Sequence, residues 1–127
     1  LFNRMYDLEQ NVVKLKGYVL QNYEMLANGA AVVYMKQDLL KEYDVKPEAA
    51  SQLVSELGSV KGIKAWVLFI EEEDQIRIRL RSKGPTINGL AQKYRGGGHP
   101  LASGASVYSW EEADRVVCDL IELCKED

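Results

Sequence analysis

Residues 63–70, IKAWVLFI, constrain the fold more than any other stretch of the chain. The run is almost continuously apolar and carries two aromatic residues. A strand with one wet face alternates. This one does not, so it reads as a central strand covered on both faces. Residues 30–35 (AAVVYM) read as a second buried strand. Residues 75–82 (QIRIRLRS) alternate strictly, with Ile76, Ile78 and Leu80 facing one way and Arg77, Arg79 and Arg81 the other.

Strands buried on both faces need helices on both sides, and the remaining segments supply them. Met5, Leu8, Val12, Leu15 and Val19 recur at helical spacing, followed by Tyr23 and Leu26. That predicts one long helix, ended by Asn28 and Gly29. A short helix is expected over 38–43. Another begins at Pro47, with Leu53, Val54, Leu57 and Val60 as its apolar stripe. Glu71 to Asp74 read as an acidic turn, since consecutive carboxylates point apart and lack the spacing of a Ca²⁺ loop. Ile87, Leu90, Ala91 and Tyr94 predict a helix that runs into glycines, and 105–108 a short strand. Ser109 and Glu112 form a capping box before a last helix that buries Trp110, Ala113, Val117, Leu120, Ile121 and Cys124. The expected class is α/β (α+β): a mixed central sheet of about four to five strands flanked by helices, led by a long N-terminal helix. Residues 1–28 read as a linker helix and 29–127 as the domain proper. A chain opening at Leu1 with this pattern close behind reads as part of something longer.

No apolar run approaches the ~20 residues of a membrane helix. Cys118 and Cys124 are six residues apart in one helical pattern, about 9 Å along the axis and on different faces. They cannot close a disulfide, which fits a reducing, cytoplasmic setting. Net charge is −3, but it is uneven. Between Gln75 and Trp110 lie Arg77, Arg79, Arg81, Lys83, Lys93 and Arg95 and no acid; the rest of the chain holds 10 basic and 19 acidic groups. A basic segment in an acidic body is the footprint of an anion-binding face.

That segment contains RGGGHPLASGA, from Arg95 to Ala105, with the single histidine, His99. Glycines let a ligand approach main-chain amides. If Pro100 opens a helical turn, the amides of Gly97, Gly98 and His99 form a phosphate nest; the alternative is a tight turn with an incidental histidine. Arginine forks match phosphate oxygens. Arg81, beside Ser82 and Lys83 at a strand end, is well placed for this, whereas Arg77 and Arg79 read as a solvated strand face. Tyr94, Tyr108 and Trp66 are candidate stacking platforms that also suit a core. Walker A, Rossmann and nucleophile-elbow motifs are absent from the sequence. So is the spaced Asp/His set of a two-metal centre, whose ions sit about 3.5–4 Å apart.

The ordered set Arg81-Ser82-Lys83, Gly89-Leu-Ala-Gln92 and Gly96-Gly-Gly-His-Pro-Leu-Ala-Ser-Gly-Ala105 resembles the DHHA1 domain, the C-terminal half of DHH-family phosphoesterases. The similarity is greatest to the branch of bacterial nanoRNases (oligoribonucleases) with 3′-phosphoadenosine-5′-phosphate (pAp) phosphatase activity, and it runs along nearly the whole chain. It implies an upstream DHH domain holding two Mn²⁺ ions, over which this domain closes to grip short RNA or pAp. It implies substrate contacts from Arg81 and Ser82, more weakly Lys83, and from the loop of Gly96, Gly97, Gly98 and His99. Arg95 stands where many relatives have a fourth glycine, and is either a further phosphate contact or a helix-end cap. No metal or cofactor is expected on this chain alone, and it is not expected to be active alone. The alternatives are a non-catalytic nucleic-acid-binding module, the equivalent domain of a cyclic-dinucleotide phosphodiesterase or RecJ-like exonuclease, and a homodimer joined through the first helix.

Overall fold

The computed structural model describes residues 9–125. Six strands form one mixed sheet: β1 (Glu24–Met25), β2 (Ala30–Met35), β3 (Ala65–Glu71), β4 (Ile76–Ser82), β5 (Gly97–His99) and β6 (Ala102–Val107). They lie side by side as β1-β2-β3-β4-β6-β5, with β2 and β3 parallel and every other pair antiparallel. The helices are α1 (Gln10–Asn22), α2 (Gln37–Tyr43), α3 (Pro47–Ser51), α4 (Asn88–Lys93) and α5 (Trp110–Lys125); a 3-10 helix, Gln52–Ser59, continues α3. No described helix is long and apolar enough to cross a membrane.

Three of the sequence expectations change, the simplest being that the strand expected over 105–108 runs over Ala102–Val107. The first helix stops at Asn22, and Tyr23 and Leu26 lie beyond it; Met5 and Leu8 lie outside the described residues. Residues 24 and 25 instead pair with β2 at the sheet edge, where Leu26 N–H also donates to the Ala30 carbonyl. Helical spacing of apolar residues thus carried past a terminus that tertiary pairing imposes. The strand count is six because β1 and β5 have only two and three residues, too few to show a period.

The apolar strands β2 and β3 are buried on both sides, and two cores form. One gathers Val32, Val67, Phe69, Ile78 and Leu80 of the sheet under α4 and α5, with Leu120 of α5 packed among them. Under α1, α2, α3 and the 3-10 helix lie Leu15, Val19, Leu57, Trp66, Leu68 and Ile70. The second helical layer covers β2 and β3 but not the other side of the sheet. Arg77, Arg79 and Arg81 stand opposite Ile70, Leu68 and Trp66 on that same face, yet all three are half-exposed. The face of β4, β6 and β5 is therefore open on one side and packed on the other.

Candidate nucleotide-phosphate site

Pairing register fixes what shares the open face. In an antiparallel ladder, directly opposite residues point the same way. Arg81 is opposite Ala102, which is opposite His99; Arg79 is opposite Gly104, which is opposite Gly97. Two parallel rows result, each with a basic or ligand-capable end and a small residue in the middle. Arg81 and His99 are two strand spacings apart, about 10 Å between backbones. Ala102 between them leaves that gap unfilled, so the two side chains can close on one phosphate. His99 is exposed and Arg81 half-buried.

The electrostatics favour an anion here. Arg77 is paired with Glu72 at 2.8 Å. Among the described residues, Arg79 and Arg81 have no such carboxylate partner. Burial, and then the neighbouring Arg79 charge, pull the Arg81 guanidinium below its ordinary value. Among the described residues, Arg81 Nη1 donates to the Leu80 carbonyl at 3.1 Å. An incoming phosphate would relieve both the desolvation and the repulsion.

The glycine loop is not the nest that a helical turn at Pro100 would make. Gly97–His99 is an edge strand, and Pro100 and Leu101 form a two-residue hairpin into β6. Ser103 Oγ donates to the His99 carbonyl at 2.7 Å and fixes the end of that hairpin. Ile87 N–H binds the Pro100 carbonyl, and Ser82 N–H the Leu101 carbonyl. Glycine is required at two places. A Cβ on Gly96 would lie 1.9 Å from the Gly104 carbonyl oxygen, and Gly98 has φ +140° with the Ala102 oxygen 2.8 Å from its Cβ position. The sequence reading of glycines as room for a ligand is thus corrected for Gly96: its lack of a side chain lets backbone pass backbone.

Three other expected contacts point elsewhere. Ser82 follows Arg81 in a strand, so it faces the opposite side; it is 8% exposed. Its Oγ donates to the Pro85 carbonyl at 2.5 Å and accepts from Gly84 N–H at 3.0 Å, shaping the turn after β4. Lys83 Nζ donates to the Val60 carbonyl at 2.8 Å, beyond the 3-10 helix. Arg95 has φ +71°, a backbone position that favours glycine. Its guanidinium donates to both Glu112 oxygens at 2.8 Å and to the Ser106 carbonyl at 3.0 Å, and it lies 4.8 Å from the centre of the Tyr108 ring. That arrangement fastens the end of α4 to the start of α5, where Ser109 Oγ accepts from Glu112 N–H. Glu112 completes the cap on Tyr108 N–H rather than on the capping residue itself. Trp66 and Tyr94 are core residues, 4% and 5% exposed, whereas Tyr108 is at the surface.

Register adds what alternation alone does not contain. Arg77 and Arg79 stand on a solvated strand face, as the alternation predicts, and that face is the one that His99 shares. Alternation already contained the row; which partner strand would lie beside it was not local information. Two shallow, open grooves, of about 500 and 640 Å³, lie beside Lys41 and Glu73 and beside Tyr34 and Trp110, and neither includes Arg81 or His99. The Arg81–His99 surface is an open one, as expected where a second surface supplies the other wall.

Residues 27–126 match the DHHA1 domain. The chain is 60% identical over 126 residues to the bifunctional oligoribonuclease and PAP phosphatase NrnA of Bacillus subtilis, covering 99% of this chain and 40% of that protein. It is 38% identical to a probable bifunctional oligoribonuclease and PAP phosphatase NrnA of Streptococcus mutans, covering 98% of this chain and 41% of the relative. The chain thus spans about two fifths of the length of these relatives. An exopolyphosphatase-related protein of Bacteroides fragilis has the same fold, with a TM-score of 0.84 at 28% identity over 94% of this chain and 36% of that one. A match to the domain model over residues 27–126, most of the chain, places this chain in the DHHA1 domain family.

Proposed function

We propose that this domain binds the phosphate of a short oligoribonucleotide or of pAp, for hydrolysis at a metal centre in an upstream DHH domain. The observation that carries the reading is the row Arg81, Ala102, His99 on an open sheet face whose strands β4, β5 and β6 contribute no acid. The names of the relatives support the substrate class. A guanidinium and an imidazole on either side of one gap hold a phosphate by charge and by hydrogen bonds, and offset charge that builds on it during reaction. Gly97, on the same face as His99, keeps that edge low, so the ligand can lie against the sheet, and Gly98 lets the hairpin form. Ser82, Gly96 and Arg95 hold the frame, and Lys83 adds charge at the end of β4.

Two Mn²⁺ ions would need several carboxylates and imidazoles converging on one point. Among the described residues no three His, Cys, Asp or Glu side chains gather in that way. The donor set of the described residues does not fit the metal pair, so the reading assigns the ions to the upstream domain. We place the protein in the cytoplasm, where an exposed thiol such as Cys118 stays reduced. A homodimer through the first helix would use its outer side, where Val13 and Leu20 are 49% and 40% exposed; the mass of the full-length protein in solution tests it.

The test is steady-state hydrolysis of diribonucleotide and pAp by the full-length protein. Arg81→Ala and His99→Ala should each lower kcat/KM by about 100-fold or more, with unchanged melting. If RNA binding instead strengthens with length, falls steeply with salt and ignores His99→Ala, the domain is a non-catalytic RNA-binding module.

A further inference from the structure

The second row of the open face has a feature that the phosphate grip of Arg81 and His99 does not use. The Arg79 Nε is buried and, among the described residues, has no hydrogen-bond partner. Buried donors are ordinarily satisfied, and leaving one unmade is costly. Its side chain is drawn over the sheet rather than out into solvent. A Cβ on Gly104 would lie 4.0 Å from both Arg79 Cδ and Arg79 Nη1. Gly104 therefore provides the floor on which the guanidinium lies.

The three arginines of β4 differ in what they hold. Arg77 is neutralised by Glu72, with Nε to Oε2 at 2.8 Å. Arg81 has the Leu80 carbonyl. Among the described residues, Arg79 lies between them with its charge unpaired and its Nε unsatisfied. Positions two apart on a strand are about 7 Å apart, close to the separation of successive phosphates along a nucleotide chain. The two rows thus present two cationic points with phosphate spacing, side by side, above Ala102 and Gly104.

We infer that Arg79 is a second phosphate subsite, making the face selective for nucleotides that carry two phosphates over those that carry one. This rests on the proposal that Arg81 and His99 hold the first phosphate. The second could be the other phosphate of pAp or the next phosphate of an oligonucleotide. In either case it accepts hydrogen bonds from the Arg79 fork, and Gly104 is needed for the approach.

The experiment is equilibrium binding to the full-length protein without divalent cation, so that nothing is turned over. The probes are pAp, the dinucleotide pApA, AMP and the single-phosphate dinucleotide ApA. Arg79→Gln should weaken pAp and pApA about 10- to 100-fold, the effect of losing charge-assisted hydrogen bonds, and leave AMP and ApA within about two-fold. If pAp responds and pApA does not, the subsite holds the bisphosphate only; the converse assigns it to the oligonucleotide chain. Arg77→Gln, at the neutralised position, should change neither class. Equal losses for one- and two-phosphate ligands, or no loss for any, would overturn the inference. Failure of the parent reading looks different: Arg81→Ala and His99→Ala would leave AMP binding intact.

Discussion

Replacing Gly96 by alanine tests how the His99 hairpin is held. The new Cβ would sit 1.9 Å from the Gly104 carbonyl oxygen, 2.6 Å from Ala105 Cα and 2.8 Å from Ala105 Cβ. Ordinary carbon contacts are about 3.5–4 Å, so β5 and β6 must separate by about 1.5 Å. The atoms in the way are mostly backbone, and no flexible side-chain end can swing aside. Overpacking costs about 1–3 kcal/mol. Loosening a three-residue ladder adds about 1 kcal/mol for each hydrogen bond lost. The expected destabilisation is about 3–5 kcal/mol, a fall of roughly 10–20 °C in Tm for a domain of this size. Gly97→Ala is the control, because its Cβ would meet only Gln92 Cγ, at 3.9 Å. Thermal unfolding of the two full-length variants decides it, with nucleotide binding as a second readout, since His99 is carried on the same strand. A Gly96→Ala protein melting within about 2 °C of the parent would refute the reasoning.

Ser82→Ala should cost about 1–3 kcal/mol, because Gly84 N–H and the Pro85 carbonyl both lose their partner. Denaturant midpoints measure this, and substrate affinity should fall no further than stability explains. Tyr94 has its hydroxyl pushed up to about 12, first by burial and then by its hydrogen bond to Asp119. A raised value means the folded state holds the proton more firmly. The stabilisation is complete below pH about 10 and is lost between about 10 and 12. Unfolding midpoints along that alkaline limb should therefore drop less for Tyr94→Phe than for the parent. Gly89→Ala, in α4 with nothing within 4 Å of its Cβ position, should raise stability by up to about 1 kcal/mol; a drop in the midpoint would count against the helix there.

Burial patterns were legible wherever a strand was long enough to show one. The limits of β2 match the sequence reading, β4 differs only at its start, and β3 is shifted at both ends, from 63–70 to Ala65–Glu71. Alternation in β4 separated Arg81 from Ser82 at once, yet the resemblance joined them as one contact pair, and the structure follows the alternation. The hairpin was hidden for a different reason. Glycine-rich segments permit a nest, a turn or a strand alike, and the choice of strand was made by β6, a partner that local sequence does not name. The role of Arg95 lay beyond local reading too, because Glu112 is 17 residues away.

A crystal structure of the full-length protein with a non-hydrolysable dinucleotide addresses the central claim most directly. The account predicts one phosphate within hydrogen-bonding distance of both the Arg81 guanidinium and the His99 imidazole, over Ala102. A ligand seated instead in the groove beside Tyr34 and Trp110, with Arg81 and His99 untouched, would contradict it.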